Sequence, residues 1–164
     1  MQYTAIANNP FGVLTAVVAP AILTNASSVL ALGTGNRLAR VVDRTRVVAA
    51  HLTGLESGNP DHRLWVKQLG ALQVRAQLLV KALRMFYAGL GLFAASALVS
   101  VGGSIGAYYS QKYLFEAAAA TAILTGASAV IGLVSGCILM VRETQLAVRS
   151  LAEESKIYQF GSKS

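Results

Sequence analysis

The sequence predicts an all-α integral membrane protein with three transmembrane helices. Of its residues, 54% are hydrophobic and only 13% are charged, which is far from the usual composition of a soluble chain. The hydrophobic residues are also gathered into three runs without Asp, Glu, Lys or Arg, at residues 11–32, 85–109 and 117–141. Each run exceeds the roughly 20 residues that an α-helix needs to cross about 30 Å of hydrocarbon.

These runs divide the chain into seven segments. The predicted order is an external leader at 1–8, transmembrane helix 1 at 9–35, a cytoplasmic basic helical hairpin at 36–84 with its turn at 54–60, transmembrane helix 2 at 85–109, an external turn at 110–116, transmembrane helix 3 at 117–141, and a cytoplasmic C-terminal helix and tail at 142–164. Asn-Pro pairs at 9–10 and 59–60 each supply an N-cap followed by a first-turn proline, which is typical of a helix start.

The first run does not have the pattern of a cleaved signal peptide. No Lys or Arg precedes it, and the arginines follow it instead. We therefore expect the first span to remain in the protein.

An arginine-rich stretch follows the first run directly. Residues 36–46 read Asn-Arg-Leu-Ala-Arg-Val-Val-Asp-Arg-Thr-Arg. This places Arg37, Arg40, Arg44 and Arg46 where a helix leaving a bilayer meets anionic headgroups. Lys81 and Arg84 occupy the same kind of position just before the second run, so these six residues are the predicted lipid-contacting or topogenic set.

The same stretch resembles a known family. The pattern Asn-Arg-Leu-x-Arg-Val-Val-Asp-Arg-x-Arg after a first span, followed by a polar hairpin and two more spans, is similar to the bacterial DUF2721 family of small membrane proteins, whose activity is unassigned. The resemblance covers residues 11–148. It implies a three-span inner-membrane protein of a bacterium and supplies no catalytic residue.

The distribution of basic residues predicts the orientation. Of the fourteen, nine lie within residues 37–84, four follow the third run and only Lys112 lies between the second and third runs. By the positive-inside rule, the hairpin and the C-terminus are cytoplasmic and the N-terminus is outside. The net charge of +7 therefore indicates contact with anionic lipid, and without a recognisable motif or interleaved aromatic residues we expect no nucleic-acid partner.

Heptad spacing predicts how the cytoplasmic helices pack. Three rows of residues at alternating steps of three and four extend out of the spans. The row that leaves the first span is Leu38, Val42, Thr45, Ala49 and Leu52, and the row of the second helix is Trp65, Leu69, Leu72, Ala76, Leu79, Leu83 and Phe86. The row that leaves the third span is Cys137, Val141, Thr144, Val148, Leu151, Ser155 and Tyr158. We expect an antiparallel hairpin with a C-terminal helix at about 142–158 packed against it. Glu143, Glu153 and Glu154 offer negative charge to the basic hairpin.

Small residues crowd the second and third spans. Gly102 with Gly106, and Gly132 with Gly136, have the spacing of four that lets membrane helices approach closely. This abundance of small surface predicts a homo-oligomer.

Few residues are available for catalysis or metal binding, so we expect no enzyme, no cofactor and no metal site. The two histidines, His51 and His62, are either metal ligands together with Glu56 or Asp61, or surface residues near a turn. They are also candidate pH-sensitive residues, because histidine is the side chain whose charge ordinarily changes between about pH 5 and 8. The single Cys137 is expected to be a packing residue.

Two functions fit these features. The first is an oligomeric membrane scaffold or regulator whose basic hairpin contacts anionic lipid or a soluble partner. The alternative is an ion channel, with a pore lined by Asn25 and Ser28 of the first span or by Ser96, Ser100 and Ser104 of the second. The same residues also suit interhelical hydrogen bonding or close packing. Lys112 and Glu116 at the external turn are candidates for a ring at the pore mouth, and helix capping explains Glu116 equally well.

Overall fold

The computed structural model describes the backbone of residues 10–54, 60–108 and 112–161. It describes the side chains of Val18 and of residues 21–54, 62–103 and 112–152. Except for Gly54, all of the described backbone lies in three α-helices: α1 at Pro10–Thr53, α2 at Pro60–Tyr108 and α3 at Lys112–Gly161. The all-α fold class is confirmed for this part of the chain.

Two of the helix starts agree with the proline signals. Pro10 begins α1 and Pro60 begins α2, because a proline at the first helical position loses no intrahelical hydrogen bond. At the end of α1 the Gly54 N–H donates to the His51 carbonyl at 3.2 Å. The predicted caps Asn9 and Asn59, and most of the turn at 54–60, lie outside the described residues.

The third helix differs from the prediction at both ends. It begins at Lys112, so residues 112–116 are helical and do not form the external turn. It then runs unbroken to Gly161, and the predicted separate C-terminal helix is its continuation. Residues 112–161 contain no proline, so each of them can donate a backbone N–H within the helix.

The chain forms two compact units, and every helix contributes to both. One, the apolar unit, comprises Met1–Ala31 and Met85–Val134, and the other, the basic unit, comprises Leu32–Arg84 and Ser135–Ser164. Lys112 and Glu116 are the only Asp, Glu, Lys or Arg residues in the sequence of the apolar unit. The division into units thus follows the division of charge along the sequence.

Large aliphatic side chains form the core of the basic unit. Val41 and Val48 of α1 pack with Leu72 and Leu79 of α2, and both Val48 and Leu79 are fully buried. The partly buried residues around this cluster are Leu38, Leu52, Trp65, Leu69, Ala76 and Met140. The predicted packing row of α2 is confirmed here from Trp65 to Leu79.

The packing row predicted for α1 is confirmed at Leu38 and Leu52 and wrong at Val42 and Ala49. Val41 is 5% exposed, whereas Val42, which we assigned to the packed face, is 37% exposed. Likewise Val48 is buried and Ala49 is only half-buried. At each of these two places, two adjacent apolar residues can fill the packed position of a heptad. The position of the other helices decides which of the two is buried.

Small residues mediate the contact between α2 and α3 in the apolar unit. A Cβ at Gly89 would lie 3.3 Å from the Ala129 carbonyl oxygen, and one at Gly103 would lie 2.8 Å from the Ala118 Cβ. Gly132 faces the Met85 carbonyl in the same way, at 3.5 Å. Gly132 thus contacts α2 of its own chain. The predicted pair of Gly132 and Gly136 is therefore only partly available for contact with another copy.

Two of the helices are long and apolar enough to cross a membrane, within His62–Gly103 and Lys112–Ala152. Length and composition of this kind favour membrane association. Among residues 9–20 of the predicted span at 9–35, only Val18 has a described side chain, so the third span stays a prediction.

The phase of α1 can be tested with two neighbouring substitutions. Val41→Asn places an amide in the core of the basic unit and should lower the free energy of unfolding by about 1–3 kcal/mol. Val42→Asn should change it by no more than about 0.5 kcal/mol, because this position is partly exposed. Denaturant unfolding in micelles, followed by the fluorescence of Trp65 beside the same core, measures both. Equal losses would contradict the observed phase.

Candidate functional site

A buried carboxylate lies where the three helices of the basic unit meet. Glu143 of α3 is only 3% exposed. Arg75 of α2 directs two nitrogens at one of its oxygens: Nε donates to Oε1 at 2.9 Å, and a terminal nitrogen, Nη2, lies 2.8 Å from the same atom. The other carboxylate oxygen, Oε2, is left for a second partner.

That partner comes from α1. Nη1 of Arg37 lies 3.8 Å from Oε2 of Glu143 and donates to Oγ1 of Thr144 at 3.3 Å. The Thr144 hydroxyl in turn donates to the Met140 carbonyl at 3.0 Å. Arg37, Arg75, Glu143 and Thr144 form one group, here called the carboxylate cluster, that connects all three helices.

A buried hydroxyl lies one turn from the cluster on α1. Thr34 is 1% exposed, and its Oγ1 donates to Sδ of Met140 at 3.5 Å. The contacts of Thr34 with Met140 and of Arg37 with Thr144 join residues 106 and 107 positions apart, so α1 and α3 run parallel in this unit. Met140 also packs on the aliphatic core, which places the cluster at the edge of that core.

The electrostatics of the cluster favour a defined arrangement of the helices. Removing a carboxylate from water costs several kcal/mol, which only close cations and hydrogen bonds offset. Both oxygens of Glu143 have an arginine partner, and no buried side-chain nitrogen or oxygen lacks a hydrogen bond within the described residues. Two arginines share one carboxylate, so the cluster keeps a formal surplus of positive charge.

The sequence pointed to part of this cluster. It identified Glu143 as an acidic partner for the basic hairpin and Arg37 as a lipid-contacting residue, but it gave Arg75 no role. The available signal was that Glu143 is the only acidic residue between Glu116 and Glu153. Its pairing with Arg75 requires the register of α3 against α2, which the sequence does not contain.

The predicted pore residues have different surroundings. Ser96 is 7% exposed and donates to the Ala122 carbonyl at 2.8 Å, which links α2 to α3. Ser100 donates to the Ser96 carbonyl at 2.9 Å, one turn earlier in its own helix. Ser28 is exposed and bonds the Thr24 carbonyl at 3.0 Å, Asn25 is exposed, and the Ser104 side chain lies outside the described residues.

The other predicted lipid-contacting residues are exposed. Arg46 lies 3.7 Å from Asp43 in an ion pair on the surface of α1. Arg40, Arg44, Lys81 and Arg84 contact no acidic side chain within the described part of the chain.

The two histidines have different surroundings. The exposed His51 ring meets the Trp65 ring edge-on, with centroids 5.0 Å apart and planes at 86°. His62 is half-buried. No group of three His, Cys, Asp or Glu residues suited to a metal occurs among the described side chains, which do not include Glu56 or Asp61. Cys137 is half-buried and carries a free thiol.

Comparison with known families identifies the chain. Residues 17–153 match the model of a family described as a protein of unknown function, DUF2721. The chain belongs to this family. The match includes the whole carboxylate cluster and the arginine-rich stretch at 36–46. No curated protein and no solved structure matches the chain.

The contribution of the cluster can be measured by substitution. Glu143→Gln leaves Arg75 partly buried without its counter-ion and should lower the free energy of unfolding by about 3 kcal/mol or more. Asp43→Asn breaks only an exposed pair and should cost at most about 1 kcal/mol. Unfolding monitored by Trp65 fluorescence compares them, and the double replacement Arg75→Leu with Glu143→Leu should recover part of the loss. Equal effects of the two single variants would show that the cluster is not structural.

Proposed function

We propose that this chain is an oligomeric membrane scaffold or regulatory protein of the bacterial inner membrane. In this proposal all three helices cross the bilayer through the apolar unit. The basic unit lies in the cytoplasm, where it contacts anionic lipid or a soluble partner. The observation that carries the proposal is the concentration of almost all charge in one unit to which each helix contributes.

The surface of the apolar unit supports a position in lipid. Large apolar side chains stand exposed along α2 and α3, among them Leu98 at 74%, Ile123 at 70% and Ile131 at 67%. In water, exposure of each of these side chains costs about 25 cal/mol per Å² of apolar surface, and soluble monomers seldom expose so much apolar surface. Hydrocarbon removes this cost.

Asn25 supports self-association. Its amide is exposed on α1 within a charge-free segment, and no hydrogen bond of its side chain is found among the described residues. An unpaired amide in hydrocarbon costs several kcal/mol, so a partner helix with a polar group is favoured there. A second copy of the chain offers suitable polar groups, because its Asn25 and Ser28 can hydrogen-bond to Asn25 and Ser28 of the first copy.

A binding role suits the basic unit better than a catalytic one. The titratable groups of the carboxylate cluster are engaged with one another in ion pairs, which is an arrangement that holds helices in place. The exposed arginines, by contrast, suit anionic ligands, and cations near an anionic leaflet contribute about 1 kcal/mol each.

Topology can be tested with single cysteines in a Cys137→Ser background. A membrane-impermeant maleimide should label Tyr113→Cys in intact cells, because this exposed position lies at the predicted external end of α3. Thr53→Cys should react only after permeabilisation, and Val18→Cys should stay unreactive in both cases because lipid covers it. Reaction of Val18→Cys in aqueous buffer would exclude the first span, and a reversed pattern for the other two would invert the orientation.

Oligomerisation and conduction can be separated in one sample. Asn25→Leu should reduce the fraction of cross-linked oligomer in liposomes, and the neighbouring exposed Ile22→Leu should leave it unchanged. Under the scaffold proposal, wild-type liposomes show no ion flux above that of protein-free vesicles. Flux that Asn25→Leu abolishes would replace the scaffold by the channel alternative, whose support is the exposure of Asn25 and Ser28.

A further inference from the structure

We propose that Arg37, Arg40 and Arg44 form a binding site for the phosphate of an anionic phospholipid headgroup. Glu143 and Thr144 act as positioning residues that hold Arg37 at this site. The inference rests on the proposed function, since it requires the basic unit to lie at a membrane surface.

The geometry of Arg37 leaves most of its guanidinium available. The side chain is 51% exposed, and both of its contacts, to Glu143 and to Thr144, are made by the same nitrogen, Nη1. No contact of Nε or Nη2 is found within the described part of the chain. A guanidinium binds phosphate through two parallel N–H groups, and Nε with Nη2 are one such pair. The carboxylate cluster therefore orients Arg37 and leaves its fork free.

Arg40 and Arg44 extend this charge along the same side of α1. At about 100° per residue, the spacings of three and four place them with Arg37 within about a quarter of the helix circumference. Both are exposed and have no acidic partner among the described residues. Two acidic groups of the basic unit are engaged with other arginines, Asp43 with Arg46 and Oε1 of Glu143 with Arg75. This face thus has uncompensated positive charge.

The sequence of the same face favours a lipid over a soluble phosphate. Helical periodicity along α1 places the exposed Gly33 in the same sector of the helix as Arg37. A Cβ at Gly33 would have no atom within 4 Å, so this part of the helix surface is open. In the sequence, the charge-free run at residues 11–32 ends just before this open position, which suits a ligand that carries an apolar chain beside its phosphate.

The test uses the full chain in neutral detergent. Native mass spectrometry gives the apparent Kd for phosphatidylglycerol and for phosphatidylcholine. The site variant carries Arg37→Gln, Arg40→Gln and Arg44→Gln. A matched control removes the same charge from exposed arginines elsewhere in the basic unit, through Arg63→Gln, Arg142→Gln and Arg149→Gln.

We expect the site variant to weaken phosphatidylglycerol binding by about 10- to 100-fold and the control to weaken it far less. Arg37→Lys should give an intermediate loss, because lysine keeps the charge but not the fork. Should the triple site variant unfold, Arg40→Gln with Arg44→Gln carries the test, since neither side chain contacts the cluster. Inorganic phosphate should not displace the bound lipid.

Three outcomes would overturn the site. Equal losses in the site and control variants would show a net-charge effect, and full affinity of Arg37→Lys would remove the role of the fork. Displacement by inorganic phosphate would identify a soluble ligand. If the wild type binds phosphatidylglycerol no more tightly than phosphatidylcholine, the proposed contact of the basic unit with anionic lipid is overturned together with the site. If it does prefer phosphatidylglycerol, but the site and control variants lose the same affinity, only the site is overturned.

Discussion

The ion pair between Glu143 and Arg75 is the constraint on which the arrangement of the basic unit depends. An unbroken α3 carries a carboxylate to a position where it is 3% exposed, and a charge there is tolerable only with cations at hydrogen-bonding distance. Arg75 supplies two nitrogens to one oxygen, and Arg37 approaches the other. These contacts are made by the face of α3 that also brings Met140 onto the aliphatic core.

Each unit packs by the physics suited to its composition. In the basic unit, Val48 and Leu79 are removed from water entirely, and the hydrophobic effect stabilises their contact. In the apolar unit, the missing side chain of Gly89 leaves room for the Ala129 carbonyl and that of Gly103 for the Ala118 Cβ, and Ser96 adds a hydrogen bond between α2 and α3. Close packing of small residues and hydrogen bonding do not depend on the removal of apolar surface from water, so they suit helices surrounded by hydrocarbon.

Arg37 links the structural and the proposed binding roles of the basic unit. Its Nη1 belongs to the carboxylate cluster, while half of the side chain remains exposed beside Arg40 and Arg44. A fixed cation loses less conformational freedom on binding an anion than a mobile one does. The buried carboxylate therefore has a consequence at the surface, because it orients the first arginine of an exposed basic row.

Features that depend on local chemistry could be predicted from the sequence alone. Charge-free runs and the prolines at 10 and 60 were sufficient to predict an all-α chain and the starts of α1 and α2, because helix formation and capping involve residues close in sequence. Tertiary structure decided the rest. The sequence offers apolar residues in two heptad phases on α1, and only the packing of α2 and α3 selects Val41 over Val42. Arg75 meets Glu143 across 68 residues, and Ser96 meets Ala122, because the register between separate helices places them at the same level. No local pattern specifies that register.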